Sequence, residues 1–125
     1  MIKVQNTKRY DLEDRTYKFA ESVIRCIKDL PKSISNIEIS KQLIRSGGSV
    51  GANYIEANES LSKKDFVMRI KICRKEAKET IFWLRLTEPI QKNVEFKKDL
   101  QQESTELMKI FGSILEKSKS SCLAK

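Results

Sequence analysis

The chain has 125 residues and a mass of 14.5 kDa, and its 25 Lys and Arg residues outnumber 17 Asp and Glu residues, for a formal net charge of +8. The length predicts one domain, and the scarcity of turn formers (two prolines and four glycines) favours long helices over many short strands. The absence of histidine excludes histidine-based catalytic triads and histidine metal sites, whereas the excess of positive charge suits an acidic partner.

Two helices are predicted in the first half of the chain. Helix 1 covers about residues 11–30, with Asp11 as its N-cap, and Pro31 ends it. Helix 2 covers about residues 36–58, and its apolar residues keep helical spacing straight through a cluster of glycines. Both helices therefore present one apolar face to a common core.

Two further helices complete the predicted fold. Helix 3 covers about residues 62–88, where Ser62 opens a capping box and Leu61 is the apolar staple residue. Helix 4 covers about residues 94–117, and residues 118–125 are expected to form a flexible tail. Four amphipathic helices with short connections predict an all-α fold, an antiparallel up-down-up-down four-helix bundle that forms one domain over the whole chain.

The cysteines and the N-terminal segment indicate the cellular compartment in which the protein is expected to reside. Cys26, Cys73 and Cys122 are far apart and form no C-x-x-C pair, so we expect reduced thiols, with Cys26 and Cys73 in the core. The first stretch, MIKVQNTKRYDLEDR, is too polar for a signal peptide, and no run approaches the length of a membrane span. These features predict a cytoplasmic protein.

The segment SGGSVGANYIEANES, residues 46–60, holds three of the four glycines. It lacks the lysine and the preceding strand of a phosphate-binding loop, and its spacing fails the G-x-G-x-x-G fingerprint of dinucleotide sites. Gly47 and Gly51 lie instead on the apolar face of helix 2, where a missing side chain lets another helix approach closely.

The other face of helix 2 is small and polar. Arg45 and Glu56 are about 16 Å apart along the axis and cannot pair with each other. Each therefore takes a partner on another helix, on a neighbouring subunit or in solvent, and we expect the face to hold subunits in register. The residues predicted to make this contact are Arg45, Ser49, Asn53 and Glu56.

Three motifs resemble a known family. RSGGSVGANYIEA at residues 45–57, DLEDRTYKFA at residues 11–20 and KEAKETIFWL at residues 75–84 resemble the four-helix-bundle proteins encoded in intervening sequences of 23S ribosomal RNA. The resemblance covers most of helices 1 to 3, and helix 4 contributes little. Gly51 stands where the family often has proline, and Ala57 where it often has glycine, which affects local backbone shape more than the fold.

The resemblance implies a bundle that assembles into a ring, typically a homopentamer, without established enzymatic activity. RNA binding has been suspected for the family, because its genes often lie inside inserts in ribosomal RNA. A related branch, also a basic pentameric ring, assists the reverse transcriptases of diversity-generating retroelements. The resemblance thus implies RNA and a reverse transcriptase as partner types.

Helix 3 carries a continuous basic stripe, which we call the basic ribbon, because cations recur along it every seven residues with two more beside them. One interpretation is a solvated face with Glu76 and Glu79 as ion-pair partners. The other is contact with phosphates, which gives affinity without sequence specificity. The residues of the basic ribbon are Lys64, Lys71, Arg74, Lys75, Lys78 and Arg85.

The same helix carries a second apolar stripe, although a bundle core needs only one stripe per helix. This stripe contains the only tryptophan, and aromatic residues are enriched at protein interfaces. The alternative is a wide helix that is well covered at the centre of the bundle. If the stripe is an interface, its contact residues are Met68, Ile72, Trp83 and Leu86.

Other site types find little support in the sequence. No aromatic platform for single strands is predicted, because Tyr54, Phe82 and Trp83 are assigned to packing. Di-iron bundles need histidine beside their carboxylates, so no metal or cofactor is expected. The sequence offers no nucleophilic side chain paired with a general base, as an enzyme of this kind would need.

Two functions remain as expectations. The first is a non-enzymatic homo-oligomeric bundle whose basic surface binds RNA or DNA with little sequence preference. The alternative is a protein-binding scaffold or an accessory subunit of a reverse transcriptase or another RNA-processing enzyme. The alternative predicts that a protein partner is retained after charge reversal of Lys71, Lys78 and Arg85.

Overall fold

The computed structural model describes the backbone of residues 8–123 and the side chains of residues 12–119, and these residues form four long helices. Asn36 near the start of α2 contacts Glu88 just after α3, and Arg69 near the start of α3 contacts Asn53 near the end of α2, so these helices are antiparallel. The predicted all-α four-helix bundle is confirmed. The helices are α1 (Lys8–Lys28), α2 (Ile34–Asn58), α3 (Lys63–Leu86) and α4 (Val94–Leu123), with a 3₁₀ turn (Gln91–Asn93) before α4.

The first two helices begin earlier than the sequence predicted. Asp11 lies inside α1, so the prediction that it caps this helix is wrong. The helix ends at Lys28, shortly before Pro31, because the residue preceding a proline disfavours helical geometry. Ser33 is the N-cap of α2, since its Oγ accepts a hydrogen bond from the Asn36 N–H at 3.1 Å.

The start of α3 follows the predicted capping box. Ser62 is the N-cap, and its Oγ accepts the N–H of Asp65 at 3.1 Å. Leu61, however, is fully exposed and packs against nothing, so the prediction of an apolar staple is wrong. The turn before the helix carries this side chain into solvent.

The last helix continues beyond the predicted end. The backbone is helical over residues 118–123, where a flexible tail was expected, and residues 124–125 lie outside the described part. Among the described residues, none of the helices combines the length and apolar character of a membrane span. Within the same residues, no group of three or more His, Cys, Asp or Glu side chains is placed to hold a metal ion.

The core runs the length of the bundle and takes residues from every helix. Cys26 and Cys73 are buried free thiols, as predicted. Burial raises the pKa of the Cys73 thiol to about 12, so this side chain stays protonated and acts as a small apolar residue. Cys122 lies outside the described side chains. The largest fully buried apolar residues are Leu43, Ile70, Leu84, Leu107 and Phe111.

The glycines of α2 allow close contact with α1, as predicted. A Cβ on Gly47 would lie 3.1 Å from Cγ2 of Val23, and a Cβ on Gly51 would lie 3.0 Å from Oγ1 of Thr16. Both α1 partners are buried, so they have little room to move. A Cβ on Gly48 would meet nothing within 4 Å. Gly47 and Gly51 therefore serve the packing of this chain, and Gly48 faces outward.

A single buried side chain, Asn36, joins the two connections at one end of the bundle. Its Nδ2 donates to the carbonyl oxygens of Pro31 at 2.9 Å and Glu88 at 3.1 Å, and its Oδ1 accepts the N–H of Glu88 at 3.0 Å. Asn36 is 2% exposed, so these bonds are shielded from water. It therefore ties the α1–α2 connection to the end of α3.

The seam between α1 and α4 contains a cleft of about 1260 Å³. Arg15 on α1 reaches across to α4, where its Nε donates to Glu103 at 2.7 Å and its Nη2 donates to Glu106 at 2.7 Å. A forked guanidinium suits two carboxylates at once. Charge pairing thus supplements side-chain packing between the first and last helices.

Candidate nucleic-acid interface

The basic ribbon lies on the solvent face of α3, and all six of its residues are exposed. Among the described residues, none of the six forms an ion pair or a side-chain hydrogen bond. From Lys64 to Arg85 the cations follow one another over about 30 Å of helix. The whole of α3 carries eight basic and three acidic residues. A surface of this kind attracts polyanions.

Arg45, on α2, holds the two carboxylates that the sequence places beside the ribbon. Its Nη1 donates to Oε1 of Glu76 at 3.2 Å, and its Nη2 donates to Glu79. Trp83 adds a second donor, from its Nε1 to Oε2 of Glu79 at 2.9 Å. Arg45 therefore finds its partners on another helix of the same chain. Glu76 and Glu79 accept hydrogen bonds from Arg45. Of the ribbon cations, Lys75 acts on Glu79 through its charge alone, which helps to lower the pKa of Glu79.

Glu79 gives this cluster a testable pH dependence. The indole N–H of Trp83 and the guanidinium of Arg45 hold the pKa of Glu79 below its ordinary value, against the opposing effect of burial. Because the folded pKa is the lower one, the stabilisation is complete above the ordinary carboxyl pKa and is lost as pH falls through the folded pKa. Glu79→Gln should therefore lower the free energy of unfolding by up to about 1 kcal/mol at pH 7, and by less at pH 3.

Thermal unfolding followed by circular dichroism at pH 7 and at pH 3 measures this difference. Trp83→Phe keeps an aromatic ring but removes one donor, so it should show part of the same effect. Equal losses at both pH values for Glu79→Gln would contradict the assignment.

The predicted subunit-contact residues lie on the outer side of α2 and α3, and some have partners within the chain. Asn53 donates through Nδ2 to the Ser49 carbonyl at 2.9 Å and accepts from Arg69 at 2.9 Å. The carboxylate of Glu56 is exposed and makes no ion pair among the described side chains. Their role between subunits stays a prediction. Half-buried are Ser49, Asn53, Ile72 and Trp83, and exposed are Arg45, Glu56, Met68 and Leu86.

Phe82 is the aromatic residue that the sequence placed wrongly. Tyr54 is buried and Trp83 is half-buried, as expected for packing residues, but Phe82 is 53% exposed. The cause is helix geometry, because Phe82 stands nearly opposite the buried Leu84 around the helix axis. The spacing in the sequence could have indicated this exposure, since Phe82 lies one helical turn after Lys78 of the basic ribbon.

A second feature that sequence reasoning missed is the exposure of several apolar side chains on α1 and α2. Ile44 and Ile55 share the helical spacing of the α2 core residues, yet they are 52% and 51% exposed. Tyr17 and Ile24 on α1 are exposed as well. The apolar stripe of α2 is thus wider than the area that α1 and α3 cover. Exposed apolar groups of this kind favour contact with another protein surface.

Comparisons with known proteins agree with this architecture. A model of the 23S rRNA-intervening sequence protein family matches residues 8–113. Among solved structures, the chain is similar to a protein of unknown function from the S23 ribosomal protein family of Bacteroides thetaiotaomicron. The two share 32% sequence identity with a TM-score of 0.75, over 88% of this chain and 99% of that chain. A search of curated proteins gives no match.

Proposed function

The chain belongs to the 23S rRNA-intervening sequence protein family, and from this premise we propose that it is a non-enzymatic, homo-oligomeric bundle that binds RNA or DNA through phosphates. The observation that carries the proposal is the basic ribbon. Its cations are exposed and form no ion pair or side-chain hydrogen bond among the described residues, while Arg45 donates hydrogen bonds to Glu76 and Glu79 of the same helix. Binding of phosphates would release counterions and give affinity with little sequence preference.

Self-association is the second part of the proposal. The exposed apolar side chains of Leu61 and Met68 support it, because they lie together beside the predicted contact residue Glu56, and monomers seldom expose large apolar patches. Each subunit added to an assembly would contribute another ribbon, which raises the local density of positive charge. Light scattering should accordingly give a mass several times 14.5 kDa, and a mass equal to one chain would contradict self-association.

A salt series with a fluorescently labelled structured RNA tests the phosphate contacts. Each contact contributes about 0.7–0.9 to the slope of log affinity against log salt. The triple variant Lys71→Glu, Lys78→Glu and Arg85→Glu should therefore flatten the slope by about 2 and lower the affinity by about 100-fold or more at low salt. Fluorescence anisotropy measures both quantities.

The matched control changes the same net charge elsewhere. Lys28→Glu, Lys32→Glu and Lys41→Glu together alter exposed lysines outside α3 and should reduce binding much less. Circular dichroism checks that both triple variants remain helical. Equal losses in the two variants would show that net charge alone matters, and absence of binding at low salt would contradict the proposal.

The exposed apolar side chains of α1 and α2 favour a second candidate, a scaffold or accessory subunit for another protein such as a reverse transcriptase or another RNA-processing enzyme. Ile24 and Ile44 would contact the partner in that case. A pull-down whose specific protein partner survives the triple ribbon variant but is lost in Ile44→Lys would favour this function. Loss of the partner in the ribbon variant, restored by added RNA, would favour nucleic-acid binding.

A further inference from the structure

Phe82 stands within the basic ribbon. It lies one turn after Lys78 and one turn before Arg85, and it shares its azimuth on the helix with Lys75. The three cations are exposed, as is the ring itself. An exposed aromatic ring between cations combines the two chemical features by which proteins hold single-stranded nucleic acid, a stacking surface and phosphate contacts.

The ring also has a fixed support. The centroids of Phe82 and Trp83 are 5.0 Å apart, with their planes at 78°, so the indole meets the phenyl ring edge to face. Trp83 is itself held by its hydrogen bond to Glu79. Because Arg45 also engages Glu79, the carboxylate closest in sequence to the ring already has two partners.

We propose that Phe82 is a stacking platform for an unpaired base, so that the ribbon binds single-stranded segments or loops in preference to a duplex. This inference rests on the proposed binding of nucleic acid. A base in a duplex is already stacked and paired, and its faces are closed to Phe82. In a single strand the base would lie on the ring while the flanking phosphates contact Lys78 and Arg85.

A second copy of the chain is the competing occupant of this ring. Phe82 and Leu86 lie one turn apart and are both exposed, so a subunit contact would cover both. Charge favours the nucleic acid, because Lys75, Lys78 and Arg85 would be desolvated against a chain of net charge +8. The oligomeric mass of the Phe82 variants distinguishes the two occupants.

The experiment compares Phe82→Leu, which keeps apolar bulk, with Phe82→Tyr, which keeps the aromatic face. The probes are an oligouridine single strand and a blunt-ended RNA duplex without a loop and with the same number of phosphates, each measured across a salt series. Phe82→Leu should weaken binding of the single strand about tenfold, with an unchanged salt slope and unchanged binding of the blunt-ended duplex. Phe82→Tyr should bind like the original protein.

Intrinsic fluorescence gives a second measurement, because Trp83 is the only tryptophan. A base stacked on Phe82 should quench Trp83 emission with the single strand and not with the blunt-ended duplex. Equal losses for both probes, or none for the single strand, would overturn the platform. So would a lower oligomeric mass of Phe82→Leu. If Phe82→Leu still binds both probes as the original protein does, while the triple ribbon variant binds neither, the proposed nucleic-acid binding is supported and the stacking platform is not.

Discussion

Gly51→Leu should lower the free energy of unfolding by about 3 kcal/mol, whereas Gly48→Ala should raise it by about 1 kcal/mol. The two glycines lie in the same helix and differ in what faces them. A Cβ on Gly51 already approaches Thr16 to 3.0 Å, and a larger side chain would force α1 away from α2. A Cβ on Gly48 meets open space, so only the gain in helix propensity remains. Chemical denaturation of each variant measures the difference.

A compensating pair provides the control. Gly47→Ala brings a methyl group to 3.1 Å from Val23, and Val23→Ala removes the Cγ atoms that it would meet. The double variant should therefore lose less stability than the sum of the two single losses. Strict additivity, or equal tolerance of leucine at Gly48 and Gly51, would show that α1 does not pack as closely as described.

Asn36→Ala should lower the free energy of unfolding by about 3 kcal/mol, although it removes only an amide. The carbonyl oxygens of Pro31 and Glu88 and the N–H of Glu88 would lose their shared partner. Buried groups left without hydrogen bonds cost more than the average bond contributes. Urea unfolding followed by circular dichroism measures the loss.

The N-cap of α2, Ser33, provides a comparison for the stability loss expected in Asn36→Ala. Ser33→Ala removes the N-cap bond of the same helix and should cost only about 1 kcal/mol. Asn36→Asp keeps the acceptor for the Glu88 N–H but loses both donors, so it should be no more stable than Asn36→Ala. A cost for Asn36→Ala at or below that of Ser33→Ala would contradict the role of the amide as a clamp.

Local chemistry explains which parts of the fold the sequence predicted. The apolar period continued through Gly47 and Gly51, so a helix with a close neighbour was expected, and Val23 and Thr16 of α1 fill that place. Ser62 capped α3 because its hydroxyl and the Asp65 N–H are set by a few adjacent residues. Such features depend on short stretches of chain.

Features that depend on the arrangement of distant residues were predicted less well. The spacing of Ile44 and Ile55 matched the core, but the area covered by α1 and α3 is set by packing that no single helix encodes. For Arg45 the sequence allowed a partner on another helix, on a neighbouring subunit or in solvent. Its partners, Glu76 and Glu79, became known only from the position of α3 beside α2. Phe82 was assigned by residue type, although its position around the helix already pointed outward.

Arg45 lies on α2, but it affects the charge of the basic ribbon on α3. A neutral residue at this position would free Glu79 to pair with Lys75 one turn earlier, and Glu76 would face the remaining cations without its partner. The ribbon would then present one unpaired cation fewer to a polyanion, although Arg45 is not one of its residues. The proposed binding of a polyanion would thus respond to a substitution outside the basic ribbon, at a residue of α2.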